Sequence, residues 1–210
     1  MGGKGALAIW NNQDPARAAL YEEWYQTEHM IERLEVPGFL RGRRYQVISG
    51  STHFFTWYEV ETPEVLRSEF YQNQLASPTP MTKAVMDGVF LDSSRTVCTR
   101  EILAGEIFGA VVVTARFAEA PARAQVDAAM KGIINPVSLA RAELWTSDED
   151  PNRVIGAEEQ IRGPDKKIDG CVMLEFLREE PAAAAAATLA AAFKDAEIGT
   201  YRLMCERMSA

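Results

Sequence analysis

His29 is one of two histidines in the chain, and it stands in a stretch dense in chemically capable side chains, LYEEWYQTEHMIERLEVPGFLRGRRY at positions 20–45. Imidazole is the side chain that most readily takes or gives a proton near neutral pH. Glu28 beside it is a candidate orienting carboxylate or base, and Tyr25, one turn earlier, a candidate acid. Trp24 is a candidate cavity wall. Arg41, Arg43 and Tyr45 share one face of an extended run while Arg44 points to the other. One of these guanidinium forks is expected to clamp an anionic substrate, a carboxylate above all. In the next run His53, Phe55, Trp57 and Glu59 share a face, and Phe54, Thr56, Tyr58 and Val60 share the opposite one. One face should line a cavity under the helices and the other the space between sheets; alternation alone does not say which. Together these residues read as a proton-transfer site, with His29, Tyr25 and Glu28 catalytic and Trp24, Arg41, Arg43, Tyr45, Trp57 and Tyr58 binding substrate.

The helix that carries His29 sets a condition on this reading. At about 100° per residue Leu20, Trp24 and Ile31 form its apolar stripe, Glu28 lies at the edge, and Tyr25 and His29 fall round the side. A straight helix would therefore leave His29 at a cleft mouth or in solvent, and a bend after Glu28 would turn it inward.

Other chemistries are disfavoured. Two distant histidines and no C-x-x-C pair make a poor metal centre. Gly2-Gly3-Lys4-Gly5 lacks the spacing of a phosphate-binding loop, and no G-x-S-x-G nucleophile elbow occurs. The net charge is −8, and both halves are acidic, so a nucleic-acid surface is not expected. Cys98, Cys171 and Cys205 are scattered, which suits reduced thiols in the cytoplasm. No secretory leader and no long apolar run are visible, so no membrane span is expected.

The elements that must position these residues can be read in order. Residues 6–12 form a strand, Asp14-Pro15 opens a helix to about Val36, and Pro37-Gly38 stops it. Runs 39–49 and 52–61 are strands joined at Gly50-Ser51. Thr62-Pro63 starts a helix to about Ser77, residues 79–91 are a short helical connection, and 92–103 is a strand. The second half repeats this order. It has a strand at 109–118, a helix from Pro121 to Ile134, strands at 138–147 and 169–178, a helix from Pro181, and a strand at 198–208. A polar stretch, 148–167, reads as a long hairpin excursion. Each half is a βαββαβ, ferredoxin-like unit with helices on one sheet face and the other face bare. The expected fold is therefore α+β, two tandem units (1–106 and 107–210) packed sheet to sheet.

Trp24, Tyr25, Glu28 and His29, then Val36-Pro37-Gly38-Phe39, Arg43-Arg44-Tyr45 and Tyr58-Glu59-Val60, resemble the dimeric α/β-barrel superfamily, in particular its EthD-like and related bacterial families. The resemblance spans about residues 5–75 and reaches the second half only in element order. It departs at Ile31, which stands two residues after His29 where those families commonly have proline. It implies a cavity between helices and sheet, and a superfamily that includes isomerases, lyases, dehalogenases, cofactor-free monooxygenases and haem proteins. On this basis the first unit should hold the site. The second, with no histidine, should be a degenerate partner whose Arg141, Glu143, Trp145 or 148–167 excursion could cover it. The leading expectation is an acid/base isomerase or lyase of small-molecule catabolism, without metal or cofactor, acting on a small carboxylated metabolite. Such chains could pair again as homodimers. A hydrolase of the same substrates, a non-catalytic ligand-binding module, and a cofactor-free or haem oxygenase fit the same residues.

Overall fold

The computed structural model describes residues 2–150 and 155–210. Eight strands form one closed barrel: β1 (Gly5–Gln13), β2 (Phe39–Ser49), β3 (Phe54–Val60), β4 (Phe90–Ala104), β5 (Val111–Phe117), β6 (Leu139–Ser147), β7 (Gly170–Phe176) and β8 (Glu197–Met208). Their order around the barrel is β1-β3-β2-β8-β5-β7-β6-β4. Each half contributes an arc in which its fourth, first, third and second strands are neighbours, the ferredoxin-like arrangement. The arcs are sealed by antiparallel β2–β8 and β4–β6 pairing. Closure removes the exposed sheet edges that either half would carry alone. The fold is the dimeric α/β barrel, built within one chain.

The two halves share more than element order. In β2–β3 the register shifts between Phe39 and Arg41 and then pairs Arg41 with Glu59. In β6–β7 it shifts between Leu139 and Arg141 and then pairs Arg141 with Glu175. The same bulge thus precedes the same Arg–Glu pair in both arcs.

Inside the barrel lies an aromatic core of Trp10, Tyr45, Phe55, Trp57, Trp145 and Tyr201. Trp10 stacks on Phe55 at 4.8 Å, and Trp57 meets Trp145 at 5.4 Å between ring centroids. One end of this interior is charged. Glu143, fully buried, accepts from Arg100 Nε at 2.8 Å and Nη2 at 2.7 Å, from Trp145 Nε1 at 2.7 Å, and from Arg141. These contacts and the neighbouring cations outweigh burial and hold its carboxyl below the usual range. β5 and β7 are buried along their whole length, as strands covered on both faces are.

Helices cover the outer faces. The first half has α1 (Ala18–Trp24), a π-helical segment (Tyr25–His29), α2 (Met30–Leu34), α3 (Glu69–Ala76) and α4 (Pro80–Met86). The second half has α5 (Arg123–Lys131), α6 (Ala157–Arg162) and α7 (Glu179–Ala192). Asp14 caps the chain's entry into the first helical run through Ala16 N, and a 3₁₀ turn at Pro15–Arg17 precedes α1. The helix expected from Thr62 begins instead as a 3₁₀ turn at Pro63–Arg67, and α3 starts afresh with Ser68 as its cap. The excursion from Asp148 is not a plain hairpin: it carries α6, which packs on α3 and α4 of the first half. The four residues 151–154 of that excursion lie outside the described residues. Among the described residues no helix is long and apolar enough to cross a membrane.

Candidate functional site

The first helix is not straight, and its irregularity decides where His29 goes. Met30 N donates to the Tyr25 carbonyl, five residues back. Thr27 Oγ1 donates to the Glu23 carbonyl at 2.8 Å, a side-chain bond that competes with the regular backbone ladder. The extra residue in the turn shifts the buried stripe. Before it the stripe is Tyr21, Trp24 and Tyr25; after it, His29, Met30, Arg33 and Leu34. Ile31, assigned to the stripe by regular periodicity, is only half-buried. The π turn thus brings His29 inward with no proline after it. Such insertions occur often at functional sites.

His29 is buried between aromatic rings. Trp24 stacks on it at 4.0 Å with 30° between planes, and Tyr25 meets it edge-on at 5.4 Å. Its Nδ1 is buried without a hydrogen-bond partner among the described residues. Burial first, and then the positive charges of Arg33, Arg162, Arg95 and Arg44, hold its pKa well below the ordinary histidine value. The imidazole is therefore neutral at pH 7, the form that can accept a proton.

One space adjoins it, and a second lies beyond the side chains that line both. The inner one, lined by Leu7, Ile9, Trp24, Tyr25, His29 and Phe90 among others, measures about 20 Å³, room for about one water. An outer cleft of about 240 Å³ opens between Leu66, Leu75 and Val97 of the first half and Asp148, Gly156, Glu159 and Asp165 of the excursion. Arg95, Glu158 and Arg162 line both. Arg33 is clasped by Gln74 Oε1 at 2.6 Å and Glu158 Oε1 at 2.5 Å. Arg162 forks onto Asp165. Arg95 donates to Tyr71 Oη at 2.8 Å and forms no ion pair among the described residues. The site therefore offers a neutral base, apolar ring walls and, in Arg95, a guanidinium bonded to a tyrosine hydroxyl with the carboxylates of Asp165 and Glu149 near it.

The residues singled out from sequence divide across the sheet. Trp24, Tyr25, His29 and Tyr58 are buried on the helix side of the first half. Among the described residues the buried Tyr58 hydroxyl has no hydrogen-bond partner. Glu28 does not meet His29. Its Oε1 accepts from Thr79 Oγ1 at 2.6 Å and Thr82 Oγ1 at 2.8 Å. Arg41, Arg43, Tyr45 and Trp57 lie on the other face, so none of them shares a cavity with His29. Arg43 binds both oxygens of Glu175 at 2.9 Å, and Arg41 lies 3.9 Å from the Phe108 ring. Tyr45 and Trp57 belong to the barrel core. Arg44 does face the helices, but it is spent on a bidentate pair with Glu22 and on the Tyr25 ring, 4.2 Å away. The cations at the site are instead Arg33, Arg95 and Arg162. Arg33 is legible in retrospect, one turn after His29. Arg95 needed the parity of β4, and Arg162 belongs to an excursion with no periodic signal.

No group of three or more His, Cys, Asp or Glu side chains among the described residues could hold a metal ion. Haem does not fit either. The space beside His29 is about 20 Å³, against the several hundred Å³ of a cofactor pocket. The second half contains no histidine.

No family model and no curated protein matches the chain. Solved structures do, over almost its whole length. An anthrone oxidase-like protein is 11% identical, with 100% of this chain and 94% of that one covered and a TM-score of 0.58. A protein assigned as a monooxygenase from Fusobacterium nucleatum is 10% identical, with 100% and 97% covered and a TM-score of 0.55. A haem-binding protein from Thermus thermophilus is 10% identical, with 98% and 92% covered and a TM-score of 0.51. At such identities the likeness is one of fold. It corrects the expectation of an isomerase or lyase: the proteins that share this barrel end to end carry oxidase, monooxygenase and haem-protein names.

Proposed function

We propose that the outer cleft of about 240 Å³, which shares Arg95, Glu158 and Arg162 with the small space beside His29, binds a compact aromatic molecule with an acidic O–H or C–H, presents that group to His29, and hands the anion to molecular oxygen, as a cofactor-free oxygenase does. The observation that carries this is the neutral, buried His29 with an unpartnered Nδ1, stacked on Trp24 and facing a ring-lined cavity. The oxidase-like and monooxygenase names among the fold's relatives support it.

The chemistry follows from the groups present. His29 takes a proton from a ring methylene, and Arg95 and Arg33 stabilise the anion left behind. The anion passes one electron to O₂. The resulting radical pair joins in a C–O bond, and the imidazolium returns its proton to the peroxide. Loss of water with the second methylene hydrogen leaves a ketone, so CH₂ and O₂ become C=O and H₂O. The substrate is itself the reductant, and no metal is needed. Repeated bulges in β2 and β6 support reading the chain as two tandem units, 1–106 and 107–210, with the site in the first. The Trp24-to-Phe39 elements support kinship with EthD-like families.

The test is oxygen uptake with a panel of anthrones, hydroquinones and naphthols. His29→Gln should lower the rate about 10²–10⁴-fold, the usual worth of one proton-transfer residue. Uptake that survives His29→Gln refutes the assignment. Saturable binding of panel members without any uptake would make the chain a binding module.

A further inference from the structure

We infer that Thr82 is a positioning residue: its hydroxyl ties the Glu28 carboxylate to the Trp24 indole and so fixes the ring on which His29 is stacked. Trp24 Nε1 donates to Thr82 Oγ1 at 2.9 Å, and Thr82 Oγ1 donates to Glu28 Oε1 at 2.8 Å. The direction of this chain is forced. An indole N–H can only donate and a carboxylate can only accept, so the one Thr82 proton goes to Glu28 and its lone pair receives Trp24. Thr79, the cap of α4, adds a second clamp. Its Oγ1 donates to the same Glu28 oxygen at 2.6 Å and accepts from Thr82 N at 3.0 Å. The first turn of α4 is thereby fastened to the π segment through one carboxylate oxygen.

Trp24 and Thr82 are buried, so water cannot replace a lost partner. Trp24 has no other hydrogen bond to hold its ring angle, and that ring covers one face of His29 at 4.0 Å. The charged groups around His29 are Arg33 from α2, Arg44 from β2, Arg95 from β4, and Glu158 and Arg162 from α6. They act on its charge through space; they do not set the plane of the indole. Glu28, one residue from His29 in sequence, thus reaches it only by way of Thr82 and Trp24.

The inference rests on the reading of His29 as the base, but its first readout does not. Nuclear magnetic resonance of the whole chain gives the Trp24 indole proton, identified by its loss in Trp24→Phe, and the His29 ring protons, with His53 as internal reference. Thr82→Val should move the Trp24 indole proton upfield and shift the His29 ring protons as the stack loosens. Thr82→Ser should restore both, and Glu28→Gln should move both in the Val direction by less. In oxygen uptake Thr82→Val should lower kcat on the order of tenfold to hundredfold, with Thr82→Ser near the parent and KM little changed. Unshifted resonances in Thr82→Val, or a Ser variant no closer to the parent than Val, overturn the proposal. Should the Val variant not fold, Glu28→Gln decides: an unmoved Trp24 indole proton overturns it. Shifts as expected in a chain that consumes no oxygen would remove the oxygenase reading and leave the relay standing.

Discussion

Glu158→Gln tests whether the excursion of the second half is part of the first half's site. Arg33 is buried, and its guanidinium is 2.5 Å from Glu158 Oε1 and 2.6 Å from Gln74 Oε1. Glutamine keeps the shape and one acceptor but removes the countercharge. Stripping one partner from a buried ion pair costs about 3–5 kcal/mol, because the other charge stays in low dielectric. Here Glu158 retains some exposure and Gln74 still accepts from Arg33, so the lower end applies, about 3 kcal/mol. For a chain of this size that is roughly 6–12 °C in melting temperature. Arg33→Met with Glu158→Leu removes both charges and should recover most of the loss. Urea denaturation of the parent, Arg33→Met, Glu158→Leu and the double variant closes the cycle, and the coupling should exceed about 1 kcal/mol. A Glu158→Gln change under about 0.5 kcal/mol, the range of an ordinary surface substitution, would refute the claim that α6 is latched to the site through Arg33.

Three further outcomes follow from the geometry. His29 is held neutral by burial and neighbouring cations, so its folded pKa lies below its unfolded value; the stability this represents is full above about pH 6.5 and is lost as pH falls through the folded value. Urea midpoints at pH 7.5 and 5.5 should therefore fall further in the parent than in His29→Gln, and equal falls would contradict the burial. Tyr58→Phe deletes a buried hydroxyl with no hydrogen-bond partner among the described residues, which is near neutral or slightly stabilising; a marked loss of stability in denaturation would show that the hydroxyl has a structural partner. Gly42→Ala would place a Cβ 2.9 Å from Tyr58 Cε1 and 3.0 Å from its Cδ1, and since that ring is fully buried the overpacking should cost about 1–3 kcal/mol by calorimetry; an unchanged melting temperature would mean the ring yields freely.

The order and type of nearly every element were legible from local signals. Asp14-Pro15, Pro37-Gly38 and the alternating runs are local signals, and local chemistry is enough to start a helix, stop it or extend a strand. The sequence also singled out the Trp24–His29 stretch as the candidate site and offered no metal-ligand or phosphate-loop spacing. The tertiary structure decided the rest. Alternation shows which residues share a strand face but not which face meets the helices, so Arg41, Arg43, Tyr45 and Trp57 went to the barrel interior while Tyr58 and Arg95 went to the helix side. Regular periodicity placed His29 off the apolar stripe; the π turn, a change of one residue per turn, brought it in. The partners that complete the site come from far along the chain. Thr82 reaches back to Trp24, and Glu158 and Arg162 come from an excursion of the second half. Those meetings depend on how two arcs close into one barrel through β2–β8 and β4–β6. That closure is a property of long-range packing, which no local window of sequence contains.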